Sequence, residues 1–258
     1  MTFCVMVGGA AAAPLFNVTT IGQVTAHDLN NRGEVVGTNS RDAFLWRAAD
    51  GFTWLPDLPT AAFTGADAAA GVASVAHGIN DAGEVVGWGR ASPVGGGRFM
   101  DQAFIWSGTD GVRSLGNVPG LPGDHDSRAY DINAAGTVVG EGVQLLNNVP
   151  AGVSPIDRFA TAWDAATGMR RLAAVDADDN ETRATAINDN GRIVGESSFI
   201  GTVSRFRAAV WEDAGSTPET IDTGVSEVNN VAFAAAVNAD GRLVGSYHPG
   251  GDREYGFT

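Results

Sequence analysis

The chain has 258 residues, 30 of them acidic and 16 basic, giving a formal net charge of -14. Every basic residue is arginine, and the acidic excess argues against nucleic acid or an anionic membrane as partner, since both need clustered positive charge. With 44% hydrophobic residues and 35 glycines the composition is that of a turn-dense globular β protein, and a single cysteine, Cys4, rules out an intrachain disulfide.

The first segment, Met1–Ala13 (MTFCVMVGGAAAA), is apolar and ends in small residues. It resembles the second half of a secretory signal peptide with a cleavage site at Ala10-Ala11-Ala12, although a basic leading region is missing. It is too short to span a bilayer, and no other stretch is long enough to insert. The expected location is therefore secreted, periplasmic or at the cell surface, and residues 14–258 are expected to form one domain. Asn17–Ile21 (NVTTI) reads as a strand standing before the first repeat.

From there a nine-residue block recurs without gaps: Leu29–Gly37 (LNNRGEVVG), Ile79–Gly87 (INDAGEVVG), Ile132–Gly140 (INAAGTVVG), Ile187–Gly195 (INDNGRIVG) and Val237–Gly245 (VNADGRLVG). Its asparagines are residues 30, 80, 133, 188 and 238, so the repeat is of roughly 50 residues. Each block reads as a hairpin. The Asn side chain can bond its own backbone two residues on, and the first Gly supplies the positive φ of a tight turn. A small residue stands four positions earlier each time: Ala26, Ala76, Ala129, Ala184 and Ala234.

Beyond each hairpin comes a third strand ending in tryptophan, at Ala43–Trp46, Ala103–Trp106, Ala160–Trp163 and Ala208–Trp211. A glycine-containing turn then leads to a fourth, at Phe52–Leu58, Val112–Leu115, Met169–Leu172 and Glu219–Ile221. Four-stranded sheets repeated in this way predict an all-β, five-bladed β-propeller with four antiparallel strands per blade. The fifth repeat has no fourth strand, so the N-terminal strand is expected to complete the last blade.

The pattern A-x-x-I-N-x-x-G-x-V-V-G followed by A-F-x-W resembles the HAF repeats of bacterial extracellular proteins, from Asn17 to Thr258. The name-giving histidine is replaced by Asp42, Gln102, Phe159, Arg207 and Tyr255. The resemblance implies an exported repeat protein without an assigned activity.

Function is sought in what does not repeat. The segments Pro59–Ser74, Gly116–Ser127, Ala173–Thr182, Trp88–Asp101, Glu141–Arg158 and Glu196–Phe206 read as long connections sharing one end of the blades, which makes that end the expected working face. On it, Trp88, Arg90, Asp124, His125 and Asp126 are the candidate ligand-binding residues. The Asp176-Ala177-Asp178-Asp179-Asn180 run places Asp176, Asp178 and Asn180 as alternate oxygen ligands, so calcium is the cofactor to test, and no other is implied. Asp28 and Asp131 break a small-residue rule at equivalent positions and are the candidate acid pair of a polysaccharide hydrolase. Local hydrogen bonding is the commoner fate of such residues. The preferred expectation is a non-catalytic module binding a protein or glycan, with a hydrolase and a calcium-stabilised surface module as alternatives.

Overall fold

A computed structural model of the chain describes residues 18–58, 74–91, 100–121, 125–146, 155–200, 205–221, 231–248 and 255–258. Every regular element among them is a strand, and no described helix is long and apolar enough to cross a membrane. Met1–Ala13 and Asn17 lie outside the described residues.

The strands form five successive antiparallel units. The first comprises β1 (Thr25–Leu29), β2 (Val35–Thr38), β3 (Ala43–Arg47) and β4 (Gly51–Trp54), and the second β5 (Ser74–Ile79), β6 (Val85–Ala91), β7 (Met100–Ser107) and β8 (Gly111–Ser114). The third holds β9 (Asp126–Ile132), β10 (Val138–Leu145), β11 (Ile156–Asp164) and β12 (Gly168–Arg171). The fourth holds β13 (Glu181–Ile187), β14 (Ile193–Phe199), β15 (Arg205–Trp211) and β16 (Glu219–Thr220), and the fifth β17 (Val231–Val237), β18 (Leu243–His248) and β19 (Tyr255–Phe257). Units one and two are separate four-stranded sheets. The last three are joined into an 11-stranded sheet by single parallel bridges, Arg158 to Glu181 and Phe206 to Val231.

The repeated block explains itself in the turn between first and second strands. In each unit the Asn carbonyl accepts the N–H of the first motif glycine, whose φ lies between 74° and 90°. The second motif glycine faces a bulge in the first strand. A Cβ there would collide with the carbonyl oxygen of Thr25, Val75, Arg128, Arg183 or Phe233 in the respective unit. The bulge inserts one residue, His27, His77, Tyr130, Thr185 or Ala235, into the first strand.

The Asn side chain does a second task. Its Oδ1 accepts backbone N–H groups within its own turn, while its Nδ2 donates to the Asn carbonyl of the next unit: Asn30 to Asn80 (3.1 Å), Asn80 to Asn133 (3.1 Å), Asn133 to Asn188 (3.1 Å) and Asn188 to Asn238 (2.9 Å). The amide supplies an acceptor to one turn and a donor to the next, which an ionised carboxylate of the same shape cannot do. This ladder ties five turns together.

Apolar packing follows the same order. Each layer of core lies between two units: Val36, Ala43 and Leu45 pack on Ala76, Ile79, Val85 and Trp106, and this arrangement recurs from unit two to three, three to four and four to five. The recurring tryptophans are packing residues; Trp106, Trp163 and Trp211 are all buried.

Two expectations differ from the structure. Val18–Ile21 is not a strand, and Val18 is 91% exposed, so among the described residues nothing from the N-terminus completes the last unit, which has three strands. The last unit ends at β19, which pairs only with β18 among the described residues. The second-to-third strand connections are also shorter than expected. β6, β10 and β14 continue to Ala91, Leu145 and Phe199 because antiparallel pairing with β7, β11 and β15 runs on past the motif glycine. Trp88, Glu141 and Glu196 thus stand on strands rather than loops.

Candidate functional site

The first strands of successive units lie side by side, β1 against β5, β5 against β9, β9 against β13 and β13 against β17. Three positions per unit supply side chains to this wall: the residue whose carbonyl faces the motif glycine, the bulge residue, and the residue after that glycine. In unit one they are Thr25, His27 and Thr38, and in unit five Phe233, Ala235 and Ser246. Units two to four differ. They carry His77 and Trp88, then Arg128, Tyr130 and Glu141, then Arg183 and Glu196.

These residues form one network centred on Glu141, which is fully buried. Its carboxylate accepts from Tyr130 Oη (2.8 Å), Arg128 Nη1 (3.1 Å) and Arg183 Nε (2.9 Å), and Arg158 Nη1 lies 3.6 Å away. Burial by itself would raise the Glu141 carboxyl, but Arg183, the Tyr130 hydrogen bond and Arg128 together hold it below the usual range. Burial, and then the Glu141 charge, raise Tyr130, which stays a protonated donor. Arg128 also grips Asp101 (2.6 Å) and lies 5.3 Å from the Trp88 ring centroid, a cation–π contact. Arg183 lies over Tyr130 and 3.6 Å from Glu196, while Arg158 reaches Glu181 at 3.7 Å.

His77 closes the network on the other side. It packs edge-on to Tyr130 and stacks on His27 with centroids 4.7 Å apart. Burial, with His27 and Arg128 nearby, lowers its pKa to about 4, so it is neutral at physiological pH. The result is a wall of fixed donors and acceptors beside one half-buried indole. Asp101, Arg128, Arg158, Glu181 and Arg183 all stand near the strand ends from which the longer connections leave.

The residues singled out from sequence have separate fates. Trp88 belongs to this network; Arg90, two residues on, is exposed. Asp124 lies outside the described residues. His125 is buried, where its Nε2 accepts the Val118 N–H and its ring meets Phe159 edge-on. Asp126 accepts the Asp101 N–H.

Asp28 and Asp131 are ties between units. Asp28 accepts the N–H of Leu29 (2.8 Å) and, from the next unit, Ile79 (2.9 Å); Asp131 accepts those of Ile132 (2.8 Å) and Ile187 (2.8 Å). Burial raises both carboxyls, that of Asp131 to about 7.

The acidic run folds around a cation of the protein's own. Asp176, Asp178 and Asp179 bring one carboxylate oxygen each within 4.8 Å of one another. Arg207 enters this group with Nη1 2.7 Å from Asp176 and Nη2 2.6 Å from Asp179, which also accepts from Ser197 Oγ. Asn180 is not part of it: its amide bonds both the N–H and the carbonyl of Ile200. The donor set fits the guanidinium, and calcium would have to share its oxygens with that charge.

The Glu141 network was not found from sequence. Its signal was present in the departures of Arg128, Arg183, Glu141 and Glu196 from the small or apolar residues at the same repeat positions.

No family model matches the chain, and no curated protein matches it. Among solved structures it is similar to polysaccharide lyase PL25, an ulvan lyase, at 10% identity and a TM-score of 0.48, with 88% of this chain and 62% of the lyase covered. It is also similar to AofleA from Arthrobotrys oligospora at 12% identity and a TM-score of 0.31, covering 83% of this chain and 60% of that one. The chain spans less than two thirds of the length of either.

Proposed function

We propose that the chain is an exported HAF-repeat protein whose five sheets are blades of a β-propeller, and that it binds a glycan without transforming it. The binding surface is the wall of first strands in units two to four. One observation carries this reading: the wall positions of units one and five hold no carboxylate or guanidinium, whereas those of units two to four bring Trp88, Arg128, Tyr130, Glu141 and Arg183 into a single connected network. A sugar ring needs an apolar face to stack on and rigid donors and acceptors for its hydroxyls, and this wall holds both with the polar groups already fixed by one another. Export rests on Met1–Ala13 and on the repeat resemblance.

A hydrolytic role for Asp28 and Asp131 has less support, because each spends both oxygens on backbone N–H groups that join neighbouring units. The test is a glycan array probed with the purified protein, followed by affinity electrophoresis in the polysaccharides it selects. Wild type is expected to be retarded, Trp88→Ala and Arg183→Ala to migrate freely while still folded by circular dichroism at the assay temperature, the second with a lowered unfolding midpoint because it strands buried Glu141, and no reducing ends or unsaturated products to accumulate. Equal retardation of wild type and both variants refutes the site, and product formation refutes the non-catalytic reading.

A further inference from the structure

The Glu141 network leaves some of its own members unsatisfied. It holds four carboxylates, Asp101, Glu141, Glu181 and Glu196, against three guanidiniums, Arg128, Arg158 and Arg183. Asp101 and Glu141 take the short contacts. Arg183 and Arg158 are both shared with Glu141, and they come no closer than 3.6 Å to Glu196 and 3.7 Å to Glu181. Among the described residues, neither of these two carboxylates accepts a hydrogen bond. Burial raises the carboxyls of both Glu181 and Glu196 even with Arg158 and Arg183 at hand, and the Glu141 charge adds to the rise.

A further unspent group lies beside them. Ser198 stands opposite Glu181 in the β13–β14 register and two residues beyond Glu196, so the three side chains share one face of unit four. Ser198 is 1% exposed, and its Oγ has no hydrogen-bond partner among the described residues. Buried hydroxyls are rarely left so, and this one adds an acceptor to a face already rich in them. On the same face Phe206, the β15 neighbour of Ser198, meets Phe233 of unit five with ring centroids 6.5 Å apart. The seam has spare acceptors, an aromatic flank and one positive charge too few.

We propose that this seam between units four and five is a subsite for a protonated amine, so that the glycan held by the wall is one with free amino groups. The inference rests on the glycan-binding reading above and narrows it to a substrate class. A primary ammonium donates three hydrogen bonds, and Glu181, Glu196 and Ser198 supply acceptors for them from one face. The Phe206 and Phe233 rings favour the same charge. An N-acetylated sugar brings only a neutral amide to these carboxylates, and a uronate brings a further negative charge.

Isothermal titration calorimetry at physiological salt, where the diffuse charge of the protein is screened, compares tetramers of glucosamine, N-acetylglucosamine and galacturonate. Wild type is expected to bind the glucosamine tetramer about tenfold more tightly than the acetylated one, and galacturonate most weakly. Glu181→Gln/Glu196→Gln, checked for folding by circular dichroism, is expected to bring the first two within about twofold of each other. Ser198→Ala, a smaller change, is expected to reduce the preference about threefold. Asp50→Asn/Asp110→Asn removes the same charge from exposed turns between third and fourth strands and is expected to keep the preference. The proposal is overturned by a wild type that fails to bind the glucosamine tetramer or prefers either other probe. It is also overturned if the preference survives loss of both glutamates, or disappears equally in the turn variant. The glycan array separates this failure from that of the wider reading. A neutral or acidic glycan bound through Trp88 removes the amine subsite alone, whereas binding of no glycan removes both.

Discussion

Replacing Asn133 by aspartate tests the asparagine ladder with almost no change of shape. Asn133 is buried; its Oδ1 accepts the N–H groups of Ala135 (3.1 Å) and Thr137 (2.9 Å), and its Nδ2 donates to the Asn188 carbonyl at 3.1 Å. Aspartate keeps the acceptor but turns the donor into a second oxygen facing that carbonyl. The loss comprises one hydrogen bond, worth about 1 kcal/mol, and an unsatisfied buried carbonyl against a buried charge, about 2 kcal/mol more. Asn133→Asp is thus expected to cost about 3 kcal/mol at pH 7 in urea unfolding of dilute protein. Asn238→Asp, at an exposed position, is expected to cost less than about 0.5 kcal/mol. The deficit should also titrate. Burial beside a carbonyl raises the new carboxyl in the folded state, and its protonated form can donate to Asn188. The penalty is therefore complete above the folded pKa and disappears as pH falls below the unfolded value, about 3.9. Equal stability of the two variants at pH 7, or a pH-independent deficit, would refute the ladder.

Three further outcomes follow from particular residues. Gly195→Ala puts a Cβ against the Arg183 carbonyl at the bulge and is expected to destabilise by about 3 kcal/mol, read from the same unfolding curves. Asp131, pushed up to about 7 by burial from an ordinary 3.8, binds its proton more tightly folded than unfolded; wild type should lose stability, of order 1–3 kcal/mol, as pH rises from about 4 to 7. Asp131→Asn should flatten that slope, and an unchanged slope would show that Asp131 does not titrate there. Arg207→Leu strands the buried Asp179 and is expected to cost about 3 kcal/mol, while a chelator leaves the wild-type melting midpoint unchanged. A chelator-induced fall would instead point to bound calcium.

The repeat made much of the architecture readable, because each recurring residue answers a local demand. The motif glycines need a positive φ or a missing Cβ, the alanines sit in layers between units, and the tryptophans fill those layers. What the sequence left hidden depends on contacts between units. Nothing local distinguishes an Asn that caps its own turn from one that also donates to a carbonyl 50 residues away, as Asn30 does. Asp28 and Asp131 resembled an acid pair for the same reason: their partners, Ile79 and Ile187, belong to the following units in space. The strand ends were misplaced where β6, β10 and β14 run past the motif glycine. Trp88, Glu141 and Glu196 were consequently assigned to loops, and the network they build with Arg128 and Arg183 was out of reach.

Glycan binding at this wall is the central claim, and hydrogen exchange of the protein with and without a glycan selected on the array tests it most directly. Protection is expected in β6, β9, β10 and β13, around Trp88, Arg128, Glu141 and Arg183, with the asparagine turns at the opposite end unchanged. Protection confined to those turns, or to units one and five, would contradict it.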